Sequence, residues 1–376
     1  MDGVHDAERL KELQSLPLSR KIQITQTRII EWYQHYNGNV CVSFSGGKDS
    51  TVLLHIARKI YPNIKAVFSN TGLEFAEIQR FVKSWDNVDI IVPQMRFDEV
   101  ISTYGYPLIG KEVANNIFYA RRIGGSPYKR NRLLGKKQGN DIDTDKKSMF
   151  DYSKWLPLAR DIPAIIGSRC CDKMKKQPMH HYQSEHGVKM IDATLAEESL
   201  LRKQMWIRRG CNAFDGSNPK SSPMSFWTEQ DVLSYIAKNN IKIASVYGDI
   251  VSIGDDGNAY PALDLCGHPQ CNLKCTGCQR TGCVYCGFGA HHDKSKGKET
   301  RFQLLAKIEP RKYEYAIGGG QWVDNPYYDP AAPEYDGDWK NWNPKKIWTP
   351  SKKGLGMGKV FDMVNEIYGK DFIKYD

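Results

Sequence analysis

Ser45-Gly46-Gly47-Lys48-Asp49-Ser50-Thr51 is the stretch that decides the fold of this 376-residue chain. The apolar run before it, Val40-Cys41-Val42-Ser43-Phe44, reads as a buried strand, and the residues after it read as a helix from about Ser50 to Ile60. A glycine pair at a strand-to-helix turn lets backbone amides approach an anion, and the helix N-terminus adds a positive field. Ser45, Ser50 and Thr51 bring hydroxyls, and Lys48 brings a point charge suited to phosphate. Asp49 fits a helix cap or a Mg2+ ligand. The spacing is not that of a Walker A loop, which needs four residues between its first glycine and Gly-Lys-Ser/Thr. An ordinary glycine-rich turn is the alternative, and the flanking strand and helix weigh against it.

Outward from this loop, helix and strand alternate. Arg20 to Tyr36 has helical apolar spacing, Lys65–Phe68 and Val88–Val92 read as strands, and Glu74–Trp85 and Asp98–Tyr104 as helices. Such alternation predicts an α/β fold with a doubly wound, mostly parallel sheet, whose ligands bind at the carboxyl ends of the strands. Met190–Thr194 reads as a further strand, Trp227–Lys238 as a helix capped by Thr228, and Lys359–Tyr368 as a last helix. Residues 318–354 show no periodicity. The expected organisation is a nucleotide-binding α/β domain over 1–260, a cysteine-rich metal-binding region over 261–292 packed on it, and an aromatic-rich extension over 293–376.

Composition bounds the function. The chain is 40% hydrophobic and 26% charged, as a soluble globular protein is. No apolar run approaches the roughly 20 residues a membrane span needs, and Met1–Glu8 lacks the basic start and apolar core of a signal peptide. The expected location is cytoplasmic, away from membranes, so the ten cysteines read as metal ligands rather than disulfide partners. Net charge is +10, which favours anionic partners. The sharpest excess is Arg121, Arg122, Lys129, Arg130, Arg132, Lys136 and Lys137, with no acidic residue between them. Nearby glycines and Pro127 mark a loop or insertion over about 121–150. It reads either as a solvated basic loop or as a nucleic-acid backbone contact.

The Ser45–Thr51 stretch resembles the PP-loop of the adenine nucleotide alpha-hydrolase superfamily, whose members cut between the alpha- and beta-phosphates. Asn70-Thr71-Gly72-Leu73-Glu74-Phe75, after the second strand, resembles the Asp-Thr-Gly-x-x-Phe turn of the phosphoadenosine phosphosulfate (PAPS) reductase branch, with Asn70 replacing the aspartate. Glu198-Ser199-x-x-Arg202 is similar to that branch's Ser-x-x-Arg segment, which implies an arginine at the nucleotide phosphates. Arg202 could instead pair with Glu197 or Glu198 on a helix. Pro223-x-x-x-Trp227-Thr228-x-x-Asp231-Val232 is similar to a helix start of the same family. The resemblance runs from about Arg20 to Gly289. It implies ATP, or the sulfonucleotides PAPS or adenylylsulfate, bound by Ser45, Gly46, Gly47, Lys48, Ser50, Thr51, Asn70, Thr71, Gly72, Glu74 and Arg202.

Cys170-Cys171, within Ser168-Arg-Cys-Cys-Asp-Lys-Met-Lys-Lys-Gln-Pro178, resembles the Cys-Cys-x-x-x-Lys-x-x-Pro element of the iron–sulfur branch, and Cys283-Val-Tyr-Cys286 its second half. The resemblance implies a four-iron, four-sulfur cluster on Cys170, Cys171, Cys283 and Cys286. Adjacent cysteines can also be small buried hydrophobes, which suffices for Cys41 and Cys211 but not for six cysteines between Cys266 and Cys286. Cys266, Cys271, Cys275 and Cys278 have loop-borne spacings that suit a closed zinc site, with His268 a spare ligand. A second allocation moves Cys278 to the cluster and gives zinc Cys266, His268, Cys271 and Cys275. Both remain open.

Two departures shape the expected function. PAPS-type reductases carry a nucleophilic cysteine in a Glu-Cys-Gly-x-His context near the C-terminus, whereas the last cysteine here is Cys286. This chain also keeps the whole Ser-Gly-Gly-Lys-Asp-Ser loop, as ATP-using relatives do. The expectation is an ATP pyrophosphatase with Lys48 and Asp49 catalytic, using Mg2+ and coupling adenylylation to iron–sulfur-dependent sulfur transfer, with nucleic acid a candidate acceptor. A (P)APS reductase borrowing a thiol from a partner protein and a non-catalytic nucleotide-sensing, DNA-binding regulator are the alternatives.

Overall fold

Strand β1, Val40–Ser43, is built from apolar residues that bury on both faces of a sheet; Val42 is fully buried and Cys41 nearly so. The computed structural model describes residues 5–121, 126–135, 151–216, 218–262, 272–293, 299–331 and 342–376. β1 lies inside a six-stranded sheet of order β3-β2-β1-β4-β6-β5, with β2 Lys65–Ser69, β3 Val88–Ile91, β4 Lys189–Ile191, β5 Asn212–Ala213 and β6 Lys220–Ser221. Every pairing is parallel except that of the edge strand β5 with β6. This is the expected mostly parallel α/β sheet. Successive strands add on one side of β1 as far as β3, and β4 then starts the other side. The loop after β1 therefore sits at the switch point of the strand order, where open α/β sheets bind ligands.

The chain forms two compact units, each assembled from two separated segments: residues 1–92 with 177–282, and 93–176 with 283–376. The first holds the sheet. Its helix Lys48–Ile60 buries Val52, Leu53, Leu54, Ile56 and Ala57. The helix Glu229–Lys238 starts with a reciprocal cap between Thr228 and Asp231, and Trp227 is buried with its indole N–H donating to Thr25 Oγ1 at 2.9 Å. A smaller antiparallel sheet, β8-β7-β9, uses β7 Ile250–Ile253, β8 Ala259–Pro261 and β9 Asn272–Cys275. The cysteine-rich stretch, expected as a metal-binding region, is also held by backbone and side-chain hydrogen bonds. β9 is tied by its ladder and by Gln230, whose amide side chain bonds both the N–H and the C=O of Leu273.

The second unit carries the helices Lys111–Ala120, Pro127–Leu133, Arg301–Ile308, Pro310–Ile317 and Met357–Tyr368. Pro127–Leu133 falls inside the basic stretch expected to be loop; proline at the first helical turn costs no hydrogen bond, so the segment can start a helix there. The aperiodic 318–354 stretch contains the hairpin pair β10 Gln321–Asp324 and β11 Lys346–Thr349, with Trp322 opposite Trp348. Among the described residues no helix is long and apolar enough to cross a membrane.

Candidate functional site

Gly46 has φ +71°, and a Cβ there would meet Val82 and Ile78 methyls at 2.8 and 2.9 Å. Only glycine fits the tight turn out of β1. The turn is then locked internally. Ser50 Oγ donates to Gly47 O at 3.0 Å and accepts from Ser45 N at 3.2 Å, and Thr51 Oγ1 donates to Gly47 O at 2.9 Å. Gly47 N donates to Ser45 Oγ at 3.3 Å. Gly47 is the N-cap of the helix, so the loop, its hydroxyls and a helix N-terminus come together as expected.

Lys48 is only 5% exposed and its ammonium has three neighbours. Glu229 Oε1 lies 3.0 Å from Nζ, the Tyr247 ring lies under it at 5.5 Å, and the Lys48 charge acts on the buried Cys275 thiol, opposing the rise that burial causes there. Tyr247 is itself fixed by a 2.5 Å hydrogen bond with Thr281. Burial raises the Asp49 carboxyl above the ordinary range, and Glu229 raises it further, against the lowering by Lys48, Arg280 and Arg202. Arg202 loses basicity, chiefly through burial, with Arg280 adding to the loss. Lys48, Arg202 and Arg280 thus converge on the helix start that carries Asp49, a positive field suited to a polyphosphate. Arg202 also ion-pairs with Glu198, the partner that the bland reading assigned to it.

The second predicted turn is present as a closed motif. Thr71 N and Oγ1 both donate to the Glu74 carboxylate, at 3.2 and 2.7 Å, and Gly72 N donates to Asn70 Oδ1 at 3.2 Å. Glu74 and Thr71 are buried, so in this arrangement Glu74 supports the turn. Glu229, Tyr247, Arg280 and Thr281 were not singled out from sequence. Glu229 occupies a variable position inside the Trp227–Val232 pattern, and Arg280 and Thr281 lie between the cysteines; a single sequence gives them no signal.

The cysteines divide between the units. Cys275 and Cys278 belong to the first, where burial raises both thiols. Cys266, His268 and Cys271 lie outside the described residues. Cys170, Cys171, Cys283 and Cys286 all belong to the second unit. There Tyr106 bridges Ile166, four residues before Cys170, and Ile109 bridges Phe288, two residues after Cys286. The neighbouring Cys170 and Cys171 thiols push each other's titration apart, Cys171 downward with Lys111 and Lys175 lowering it further, and Cys170 upward with burial, Cys286 and Cys283 adding to the rise. Arg301 clamps the second pair: its guanidinium donates to Cys286 O at 3.1 Å, Phe288 O at 2.8 Å and Asp293 at 2.7 Å. Among the described residues no three His, Cys, Asp or Glu side chains gather around the position of a single metal ion. A cluster asks for something different, since each thiolate binds its own iron. Four neighbouring thiols beside Lys111 and Lys175 fit it chemically.

The basic stretch is built differently from a free cationic loop. Arg121 is buried on four backbone carbonyls, and Arg132 ion-pairs with Glu112 at 2.8 Å. Arg130 bonds Ala120 O, and Lys129 lies 3.7 Å from Glu112. Arg122, Lys136 and Lys137 lie outside the described residues. The described cations of this stretch hold their own unit together.

The model of the phosphoadenosine phosphosulfate reductase domain matches residues 39–105 and 136–287, more than half of the chain. A sulfate adenylyltransferase subunit 2 of Pseudoalteromonas translucida is 24% identical over 215 residues, 56% of this chain and 60% of that protein. An uncharacterised protein of Methanocaldococcus jannaschii is 32% identical over 81 residues, 20% of either chain. The chain thus spans well under two thirds of the length of these curated relatives. Among solved structures, a phosphoadenylyl-sulfate reductase from Candida auris in complex with phosphate aligns at 14% identity and TM-score 0.34, over 64% of this chain and 90% of that one.

Proposed function

Because the chain belongs to the phosphoadenosine phosphosulfate reductase family, we propose that it binds ATP at Ser45–Thr51 and transfers the adenylyl group with release of pyrophosphate. The observation that carries this reading is the complete loop at the sheet's switch point, with Lys48, Arg202 and Arg280 gathered about Asp49. The phosphates would lie at the loop and helix N-terminus, where Lys48 exchanges Glu229 for their oxygens. Attack by an acceptor oxygen forms a new bond to the alpha-phosphorus. The bond from that phosphorus to the bridging oxygen breaks, and pyrophosphate leaves with the electron pair. Lys48 and the two arginines offset the charge gathering on it. Asp49 would hold Mg2+, which neutralises phosphate charge when bound.

The engaged cations of the Arg121–Arg132 stretch and the names of the relatives favour a small sulfur oxyanion over nucleic acid as acceptor. Cys170, Cys171, Cys283 and Cys286 would hold a four-iron, four-sulfur cluster, which supplies electron transfer or sulfur chemistry when bound. Cys275 and Cys278 would contribute to zinc. A second reading, reduction of a sulfonucleotide with a thiol from a partner protein, draws on the family description. One assay separates them: pyrophosphate release from ATP in the presence of sulfate supports the first. Sulfite release from PAPS or adenylylsulfate with thioredoxin, and no pyrophosphate, would replace it with the second.

A further inference from the structure

The second unit contains a cavity of about 380 Å³ that no part of the nucleotide reading uses. Phe118, Ile165 and Ile166 supply its apolar wall, Thr103 and Tyr327 line it as exposed residues, and Arg121 and Trp342 complete the lining. Arg121 is the unusual member. The residue is 9% exposed, and its guanidinium donates to Ala159 O, Ala164 O, Leu158 O and Ile162 O at 2.6–3.0 Å. It also lies 4.2 Å from the centre of the Trp342 ring. Guanidinium has five N–H donors, so one N–H on Nη1 has no acceptor among the described residues. No carboxylate within salt-bridge distance pairs with it there either. Burial brings its pKa down to about 9, which still leaves it charged at neutral pH.

Removing a cation from water costs several kcal/mol. Carbonyl dipoles and an indole face offset part of that, but they leave the net charge in place. Asp161 acts on this charge from beyond salt-bridge distance, and a positive charge with no directly paired carboxylate in a largely apolar pocket attracts an anion more strongly than the same charge would in water, because the local dielectric is low. The remaining Arg121 N–H is a donor for a carboxylate, and Thr103 adds a hydroxyl to the same lining. The rest of the lining is apolar and aromatic.

We propose that this cavity is a binding site for a small aromatic carboxylic acid, its carboxylate on Arg121 and its ring against Phe118, Ile165 and Ile166. The site stands apart from the ATP reading and survives if that reading fails.

The test uses the full chain and three probes, benzoate, 1-naphthoate and indole-3-carboxylate, each beside its uncharged carboxamide, by calorimetry. At least one acid binds, and its amide binds at least tenfold more weakly. Arg121→Met lowers acid affinity at least tenfold. Since Arg121 also pins four carbonyls, that variant can fail to fold, so Thr103→Trp is tested in parallel; it blocks the cavity from an exposed position and abolishes binding. No binding of any probe at millimolar concentration overturns the site. Equal binding of acid and amide overturns the role of Arg121, and unchanged binding to Thr103→Trp places the ligand elsewhere.

Discussion

Lys48 Nζ lies 3.0 Å from Glu229 Oε1, so the cation of the glycine loop already holds a carboxylate supplied from 181 residues away. A phosphate must displace that carboxylate or share the lysine with it. Glu229 is about a third exposed, so the pair is worth no more than about 1 kcal/mol. Glu229→Gln should therefore tighten ATP binding severalfold by calorimetry and leave the melting temperature nearly unchanged. Weaker ATP binding would mean that Glu229 orients Lys48 rather than competing for it.

Lys48→Ala removes the loop's own positive charge. ATP affinity should fall at least tenfold, about 1.4 kcal/mol, and pyrophosphate release should fall with it. Unchanged affinity would remove the nucleotide from this loop.

Gly46→Ala tests the turn itself. The left-handed backbone costs a non-glycine residue about 1–2 kcal/mol, and the added methyl also meets Val82 and Ile78. Urea unfolding of the first unit should show a loss of at least that size, together with lost ATP binding. Stability equal to the parent would mean that the loop can reshape at no cost.

Protein purified anaerobically should contain iron and sulfide, and separate zinc. Cys283→Ser or Cys286→Ser should lose the iron and keep most of the zinc, while Cys271→Ser or Cys275→Ser should do the reverse. Colourless protein with zinc alone after iron reconstitution would exclude the cluster.

His291 gives the second unit an acid limit. Burial takes its pKa down from 6.5 to about 4, helped by His292 and Lys154. The unfolded chain takes up this proton first, so its contribution to stability is intact above pH 6.5 and is lost as pH falls towards 4. His291→Phe, which keeps the ring beside Trp155 and Phe372, should flatten the fall in melting temperature across that window.

What was legible in the sequence was local. Val40–Ser43, the helix after Gly47 and the Thr228 cap are written in neighbouring residues, and the structure places them within a few residues of expectation. Contacts made by folding were not legible. Glu229 and Tyr247 reach Lys48 only because helix, sheet and loop converge on it. Arg121 and Arg132 read as surface charge because nothing nearby in sequence announces their carbonyl and carboxylate partners. The helix Pro127–Leu133 was hidden by the glycines around it, and β7–β9 by strands only three or four residues long.

The division into two interleaved units also sets a timetable for synthesis. Cys170 and Cys171 leave the ribosome more than a hundred residues before Cys283 and Cys286, and the first unit waits for residues up to Gly282 before its smaller sheet can close. Neither unit can complete itself while the chain is half made: the first can finish only after the opening segment of the second has already emerged, and the second only with the last segment of the chain. A stop before Gly282 would leave both units unfinished, with exposed strands and unpaired thiols, rather than one intact domain and a missing one.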